Sequence, residues 1–140
     1  MKFKIFIDGE AGTTGLKVAE RLKTHPHASI LSIDIAHRKD ESARADMMAE
    51  SDITILCLPD AAAIDAARLA AESKTRLIDA SSAHRINPEW VYGFAELQPG
   101  QRDAIAAAAL ITNPGCYPTG FLALARPLIA GGLLSDQSLL

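Results

Sequence analysis

Cys116 stands in a context that favours a reactive thiol. It follows an apolar segment, residues 106–111, in which Leu110 and Ile111 predict a buried strand after an alanine-rich helix. A sharp turn is expected next, at Pro114 and Gly115. A helical pattern comes next, residues 121–129, so the cysteine is expected at a helix N-terminus. Unpaired N–H groups and the helix dipole favour an anion there, and the thiolate is the nucleophilic form of cysteine. The pattern predicts a catalytic nucleophile; the alternative is a cysteine that merely packs behind a turn.

Three glycines near the start of the chain have the context of a phosphate-binding loop. Gly9, Gly12 and Gly15 lie between a predicted strand, residues 5–8, and a predicted helix, residues 16–22. Such glycines permit a tight turn and close approach of the backbone to a pyrophosphate, which the helix N-terminus faces. The spacing is G-x-x-G-x-x-G and not the stricter G-x-G-x-x-G, so its place after the first strand carries the prediction of a dinucleotide. The alternative is a glycine turn that only lets the helix pack closely.

The end of the second predicted strand, residues 29–36, is where a dinucleotide-binding fold selects its cofactor. An acidic residue there holds the ribose 2′-hydroxyl of NAD, whereas an arginine accepts the 2′-phosphate of NADP. Asp34 is at a suitable distance from the glycines but lies inside the predicted strand, while Arg38 and Lys39 lie just past its end. We therefore expect NADP(H); the alternative is that both cations are solvated loop charges.

Two more loops follow predicted strands of the chain interior. An apolar run ends in Leu58 and Pro59. A strand at 75–79 opens into a hydroxyl-rich loop whose candidate ligand-site residues are Ser81, His84 and Arg85. In open α/β sheets ligands bind outside the carboxyl ends of the strands. Both loops are therefore candidates to line a ligand site, although each of these residues also suits an ordinary turn.

Strands and helices alternate along the chain, which predicts a Rossmann-like α/β fold: a doubly wound, mainly parallel sheet with helices on both faces. Within it we expect Leu16, Ala19 and Leu22 on one face of the first helix. Asp60 is the expected N-cap of an alanine-rich helix, residues 61–72, and residues 90–97 are expected to form a connector.

Composition restricts the classes of function. The 140 residues suit one domain, and a net charge of −3 gives no electrostatic basis for binding nucleic acid or an anionic membrane. Two cysteines, Cys57 and Cys116, do not make a disulfide framework and suit a reducing cytoplasm. His25 and His27 flank a proline without other ligand-type residues nearby, so we expect a solvated turn and no metal site.

Five motifs, spread in order over nearly the whole chain, resemble those of the N-acetyl-γ-glutamyl-phosphate reductases of arginine biosynthesis, in their shorter second subfamily. They are Gly9-Glu10-Ala11-Gly12-Thr13-Thr14-Gly15, Arg38-Lys39-Asp40, Asp79-Ala80-Ser81-Ser82-Ala83-His84-Arg85, Tyr92-Gly93-Phe94-Ala95-Glu96-Leu97 and Asn113-Pro114-Gly115-Cys116-Tyr117-Pro118-Thr119. The motif around the cysteine is the most specific. The chain departs from the family at Ala95, where a proline is usual.

The resemblance implies NADPH-dependent reduction of N-acetyl-L-glutamyl 5-phosphate to the 5-semialdehyde, with release of phosphate. Cys116 would form the thioester and Arg38 would contact the 2′-phosphate, with Lys39 beside it. The other cofactor contacts implied are Gly9, Gly12, Thr13, Thr14, Gly15, Leu58, Pro59 and Ser81. The alternatives are a related acyl-phosphate reductase, acting on aspartyl phosphate or a carrier-linked glutamyl phosphate, and a non-catalytic NADP-binding module.

The resemblance also bears on domain organisation. Residues 1–132 would form the NADP-binding domain, including the Cys116 turn and its helix, and residues 133–140 would begin a second domain. In the family that domain binds substrate, mediates homo-oligomerisation and supplies a catalytic histidine. None of the four histidines of this chain stands at the matching position. We therefore expect the 140 residues alone to be inactive.

Overall fold

The computed structural model describes residues 2–135, which form six strands and five helices. The strands are β1 (Phe3–Asp8), β2 (Ala28–Leu31), β3 (Ile53–Leu56), β4 (Arg76–Asp79), β5 (Val91–Tyr92) and β6 (Leu110–Thr112). The helices are α1 (Thr13–Lys23), α2 (Glu41–Glu50), α3 (Asp60–Leu69), α4 (Gln101–Ala107) and α5 (Cys116–Ala130).

All six strands join one sheet in the order β2-β1-β3-β4-β6-β5, and every neighbouring pair is parallel. The chain passes from β1 to β2 on one side and then returns to β3 on the other, so the sheet is doubly wound and the switch point lies between β1 and β3. The last residues of four strands form one row of cross-strand partners: Asp8, Leu56, Asp79 and Thr112.

Helices cover both faces of the sheet because side chains alternate along each strand. Ile5 and Ile7 point to one face and form a buried cluster with Ala19 of α1. Phe6 points to the other face and belongs to a cluster with Met48 of α2 and with residues of α3. The predicted Rossmann-like fold, with a parallel sheet and helices on both faces, is confirmed.

Three local predictions differ from the structure. Leu16 is 58% exposed, because α1 approaches the sheet through Gly15 and Ala19. β2 ends at Leu31, five residues earlier than expected, since the Asp34 carboxylate accepts a hydrogen bond from the Ala36 N–H (2.8 Å) and starts a turn.

The third difference is β5, which lies within the segment expected to be a connector. Val91 and Tyr92 pair in parallel with Ile111 and Thr112 at the edge of the sheet. A two-residue strand has too few positions for an alternating pattern, so the sequence carries little signal for it.

α5 ends at Ala130, and the glycine pair that follows closes it as predicted. Of the segment expected to begin a second domain, residues 133–140, the last five lie outside the described residues. Within residues 2–135, none of the helices has both the length and the apolarity needed to span a bilayer.

Candidate active site

The glycine loop after β1 packs backbone against backbone. Gly9 has a φ of +91° and accepts a hydrogen bond from the Gly12 N–H (3.0 Å). A side chain at Gly9 would collide with the carbonyl of Cys57, in the loop after β3. A side chain at Gly15 would collide with the carbonyl of Gly9. These two glycines therefore let the loop, α1 and the β3 loop meet at the switch point of the sheet.

Gly12 differs from its two neighbours in the motif. It caps α1 with an ordinary φ of −78°, and the nearest atom to a Cβ built there lies at 3.4 Å. The fold itself would accept a side chain, but that side chain would occupy the space beside the exposed first turn of α1, where Thr13 and Thr14 lie. An open helix N-terminus behind a tight glycine loop fits the diphosphate of a dinucleotide. Contacts of these residues with a cofactor stay predictions.

Arg38 and Lys39 lie exposed in the turn 35–39, between β2 and α2. Asp34, expected inside β2, instead lies beyond it and is exposed, so that expectation was wrong. The segment after β2 thus presents a carboxylate as well as two cations. Asp40 ends this segment by capping α2, its carboxylate accepting hydrogen bonds from the N–H groups of Ser42 (2.9 Å) and Ala43 (3.1 Å).

An ion pair beneath the glycine loop was missed by the sequence analysis. The carboxylate of Asp8, the last residue of β1, accepts hydrogen bonds from Arg44 Nε (3.2 Å to each oxygen) and Nη2 (2.7 Å). Both side chains are largely buried, at 5% and 15% exposed. The available signal was an acidic residue at the end of an apolar strand, which has to find a partner.

The loop after β3 lies against the glycine loop at the switch point of the sheet. Leu58 lies beside Gly9, and Pro59 precedes the first residue of α3. Burial raises the pKa of the Cys57 thiol to about 11, and the carboxylates of Asp8 and Asp79 add to the shift. Cys57 is therefore protonated at neutral pH.

Asp60 does not cap α3, so that prediction was wrong. Its carboxylate instead accepts hydrogen bonds from Ser82 Oγ (2.6 Å) and the Ser82 N–H (3.0 Å), which lower the pKa of Asp60. The side chain is drawn across to the β4 loop because that loop offers two donors at once. These hydrogen bonds join the start of α3 to the loop after β4.

Asp79, fully buried at the end of β4, organises the loop that follows. Its carboxylate accepts hydrogen bonds from the Ser81 N–H and Ser81 Oγ (both 2.8 Å) and lies 2.7 Å from His84 Nδ1. The His84 ring stacks on Trp90, with 4.1 Å between the ring centroids. Ser81 is therefore buried and bound to Asp79, and its expected contact with a cofactor stays a prediction.

Cys116 is exposed and is the first residue of α5, as the sequence predicts. The turn before it is tied to the end of β4, because the Asn113 N–H donates to the Asp79 carbonyl (2.7 Å). Gly115 is the N-cap, and its carbonyl accepts hydrogen bonds from the N–H (3.0 Å) and Oγ1 (2.7 Å) of Thr119. The thiol thus stands at an open helix N-terminus on the carboxyl edge of the sheet.

Arg85 lies under the Cys116 turn. Its Nε donates to the Asn113 carbonyl and its Nη2 to the Ala80 carbonyl (both 3.3 Å). A Cβ built on Gly115 would stand 2.9 Å from Arg85 Nη1, so the glycine makes room for the guanidinium. Within residues 2–135 this arginine forms no ion pair with a carboxylate. The structure therefore brings a half-buried cation and an exposed thiol to one turn.

No cluster of three or more His, Cys, Asp and Glu side chains that could hold a metal ion occurs in the described part of the chain. His25 and His27 are exposed and touch edge to face, with 6.0 Å between the ring centroids.

Comparison with known proteins agrees with this architecture. Residues 4–108 match the family described as "Semialdehyde dehydrogenase, NAD binding domain". The chain is 54% identical over 135 residues to the N-acetyl-γ-glutamyl-phosphate reductase of Brucella ovis, covering 96% of this chain and 44% of that protein. For the enzyme of the same name from Trichormus variabilis the values are 54% over 136 residues, 97% and 42%. The chain spans less than half the length of these curated relatives.

Solved structures share the fold at low sequence identity. The aspartate semialdehyde dehydrogenase of Candida albicans, solved with NADP, superimposes with a TM-score of 0.72 at 13% identity, covering 96% of this chain and 48% of that one. The enzyme from Francisella tularensis gives 0.70 at 16% identity, covering 93% and 41%. These structures show the shared fold, and by the match over residues 4–108 the chain belongs to the family of semialdehyde dehydrogenase NAD-binding domains.

Proposed function

We propose that this chain is the cofactor-binding and nucleophile-bearing part of an NADPH-dependent N-acetyl-L-glutamyl 5-phosphate reductase. The observation that carries the proposal is the pairing of an exposed thiol, Cys116, with the guanidinium of Arg85 at one turn on the carboxyl edge of a dinucleotide-binding sheet. The identity of 54% to reductases of that name supports the choice of substrate.

In the proposed reaction Cys116 attacks the carbonyl carbon of the acyl phosphate, the bond to the phosphate oxygen breaks, and phosphate leaves as a thioester forms. The open N-terminus of α5 supports both the thiolate and a developing oxyanion, because its first N–H groups point towards the turn. Arg85 adds a positive charge that suits a phosphate group. The glycine loop would hold the diphosphate of the dinucleotide, and the reduced cofactor would supply the hydride needed to convert the thioester to the aldehyde.

The choice of NADP(H) over NAD(H) rests on charge. Arg38 and Lys39 are exposed in the turn after β2, where the adenosine ribose of a dinucleotide is expected. Asp34 is also exposed there, but its carboxylate accepts the Ala36 N–H and so takes part in the turn. Among the described residues, 2–135, the side chains of Arg38 and Lys39 have no such hydrogen bond, and two cations in this state favour a 2′-phosphate.

The rest of the proposed enzyme would cover the outer face of α5. Four large side chains lie along one face of that helix at helical spacing and are exposed: Tyr117 (88%), Phe121 (53%), Leu124 (74%) and Leu128 (39%). We assign this face to a second, substrate-binding domain, through which the enzyme would also form homo-oligomers. Both cysteines are free thiols, which suits the cytoplasm.

Alkylation tests the site in the chain itself. We expect iodoacetamide at pH 8 to modify Cys116 and not Cys57, whose thiol has a pKa of about 11. The anionic reagent iodoacetate should react with Cys116 faster, relative to iodoacetamide, than with a simple thiol. Arg85→Gln should lower that ratio about threefold, the effect of one unit charge near the surface. Arg102→Gln, a change at an exposed arginine of α4, is the matched control. An unchanged ratio in Arg85→Gln would contradict the proposed phosphate-binding role.

A chimera tests the reaction. The 135 aligned residues of the Brucella ovis reductase would be replaced by those of this chain, so that the relative supplies the remaining length. We expect NADP⁺ reduction with N-acetyl-L-glutamate 5-semialdehyde only when phosphate is present. Cys116→Ser should reduce the rate at least about a thousandfold, as loss of a nucleophile does. Activity that survives this substitution would disprove the thioester mechanism.

A further inference from the structure

From the buried ion pair between Asp8 and Arg44 we infer that it sets the preference for the 2′-phosphate by fixing the cation-bearing turn relative to the glycine loop. The inference rests on the proposed binding of NADP(H) and names the residues that position Arg38 and Lys39. Neither Asp8 nor Arg44 is assigned a contact with the cofactor; both are positioning residues.

The pair joins the two segments that a dinucleotide would have to bridge. Asp8 directly precedes Gly9, so whatever holds Asp8 also holds the start of the glycine loop. Arg44 lies one helical turn inside α2, and its N–H donates to the carbonyl of Asp40 (3.0 Å), the residue that caps the helix. Lys39 precedes that cap immediately. The path from the glycine loop to the cations therefore passes through one ion pair and one helix cap.

The geometry of the pair restricts orientation as well as distance. Arg44 donates through Nε and Nη2 to both oxygens of Asp8, so the guanidinium lies across the carboxylate in a two-pronged arrangement. The backbone carbonyl of Asp8 also accepts a hydrogen bond from the Cys57 N–H (2.8 Å), which joins the same residue to the loop after β3. α2 can thus neither slide along β1 nor rotate without breaking these bonds.

Stability alone does not account for such a pair. Two largely buried charges lose hydration that their attraction barely repays, and apolar replacements of similar size are often at least as stable. A registry role is the best attested use of a buried ion pair. Here the register is the position of α2 along β1. A second, exposed ion pair, Lys4–Glu50 (3.0 Å), joins the same strand and helix at the end remote from the glycine loop.

The exposed pair supplies a matched control, because it links the same strand and the same helix at the end remote from the glycine loop. Calorimetric titrations of the 140-residue chain with NADPH and with NADH would be compared for the unsubstituted protein, Asp8→Asn, Arg44→Gln, the double variant and Lys4→Gln. The readout is the ratio of the two dissociation constants, since a general loss of folded protein weakens both nucleotides alike.

We expect Asp8→Asn and Arg44→Gln each to lower the preference for NADPH about tenfold, with NADH affinity changed less than about twofold. The double variant should lose no more than either single variant, because both remove the same link. Lys4→Gln should leave the ratio unchanged. If Asp8→Asn unfolds, Arg44→Gln still tests the link, since Arg44 is the more exposed partner.

The failures are distinguishable. If the unsubstituted chain binds both nucleotides but does not prefer NADPH, the proposed cofactor preference is wrong and this inference is wrong with it. If it prefers NADPH and the two variants keep that preference, or lose affinity for both nucleotides equally, the cofactor assignment stands and the positioning role is disproved.

Discussion

The glycine loop and the Cys116 turn lie at the same edge of the sheet but are held by different kinds of contact. At the glycine loop the backbone of Gly9 packs directly on the carbonyl of Cys57, and Gly15 packs on Gly9. At the Cys116 turn the glycine packs on a side chain and not on backbone, because the guanidinium of Arg85 lies against Gly115. One region is therefore rigid through its main chain, and the other depends on how one arginine is held.

The difference matches the chemistry proposed for each region. A diphosphate is bound mostly by backbone N–H groups, so the loop that binds it needs a fixed main chain. A departing phosphate needs a cation, and an arginine supplies one only if other groups orient it. Here the orientation comes from a buried carboxylate, Asp79, which fixes Ser81 and His84 and so the loop that leads to Arg85.

Gly9→Ala should have the largest effect on the fold. A Cβ at a φ of +91° is strained, and here it would also meet backbone that has no room to move. We expect a loss of about 3–4 kcal/mol in the free energy of unfolding, which urea denaturation measures. Gly12→Ala is the control: it should change stability by less than about 1 kcal/mol yet weaken nucleotide binding. Equal stability of the two variants would refute the backbone-packing account of this loop.

Asp79→Asn should have an intermediate effect, on the Cys116 side. The amide keeps the shape of the carboxylate but loses its charge and an acceptor for Ser81 Oγ and His84 Nδ1. We expect a loss of about 2 kcal/mol in urea denaturation, the range for a buried hydrogen bond to a charged group. The same variant should also reduce the preference of Cys116 for iodoacetate over iodoacetamide. A change in stability without a change in that preference would show that Asp79 does not orient Arg85.

The two regions also differ in how far the sequence predicts them. The place of Cys116 at a helix N-terminus follows from neighbouring residues, a proline and a glycine before a helical pattern, and it is confirmed. The helix itself begins at Cys116, ahead of the pattern predicted for 121–129. The ion pair of Asp8 with Arg44 joins residues 36 positions apart, and no local pattern indicates which helix covers the end of β1. Local signals thus define the elements, whereas the contacts between them depend on the tertiary fold.

Tertiary contacts also explain two of the wrong predictions. Asp60 precedes an alanine-rich run and has the residue type of an N-cap, but the fold brings Ser82 within reach of its carboxylate. Leu16 fits the helical stripe, yet the close approach of Gly15 to the glycine loop turns that leucine outwards. For Asp60, two hydrogen bonds from Ser82 outweigh a capping preference that is worth about 1 kcal/mol. For Leu16, the backbone contact between Gly15 and Gly9 determines which face of α1 turns towards the sheet.

Gly115→Ala should have the smallest effect on stability and a clear effect on the site. Its φ of −70° suits alanine. The atom nearest to the new Cβ is the end of a flexible side chain, Arg85 Nη1 at 2.9 Å, and Pro118 Cδ follows at 3.3 Å. We expect less than about 1 kcal/mol of destabilisation, because the guanidinium can move aside. Displacement of the Arg85 guanidinium should nevertheless lower the ratio of iodoacetate to iodoacetamide reactivity at Cys116, towards the ratio expected for the Arg85→Gln variant.

Gly120→Ala is the matched control for that substitution, because it lies in the same helix with no atom within 4 Å of the added Cβ. It should stabilise α5 by up to about 1 kcal/mol through helix propensity and leave the alkylation ratio unchanged. If Gly115→Ala behaved like Gly120→Ala in both measurements, Arg85 would not depend on the glycine for its place under the turn. That result would contradict the claim that the Cys116 turn is held by a side chain while the glycine loop is held by its main chain, because the contact between Arg85 and Gly115 is the basis of that claim.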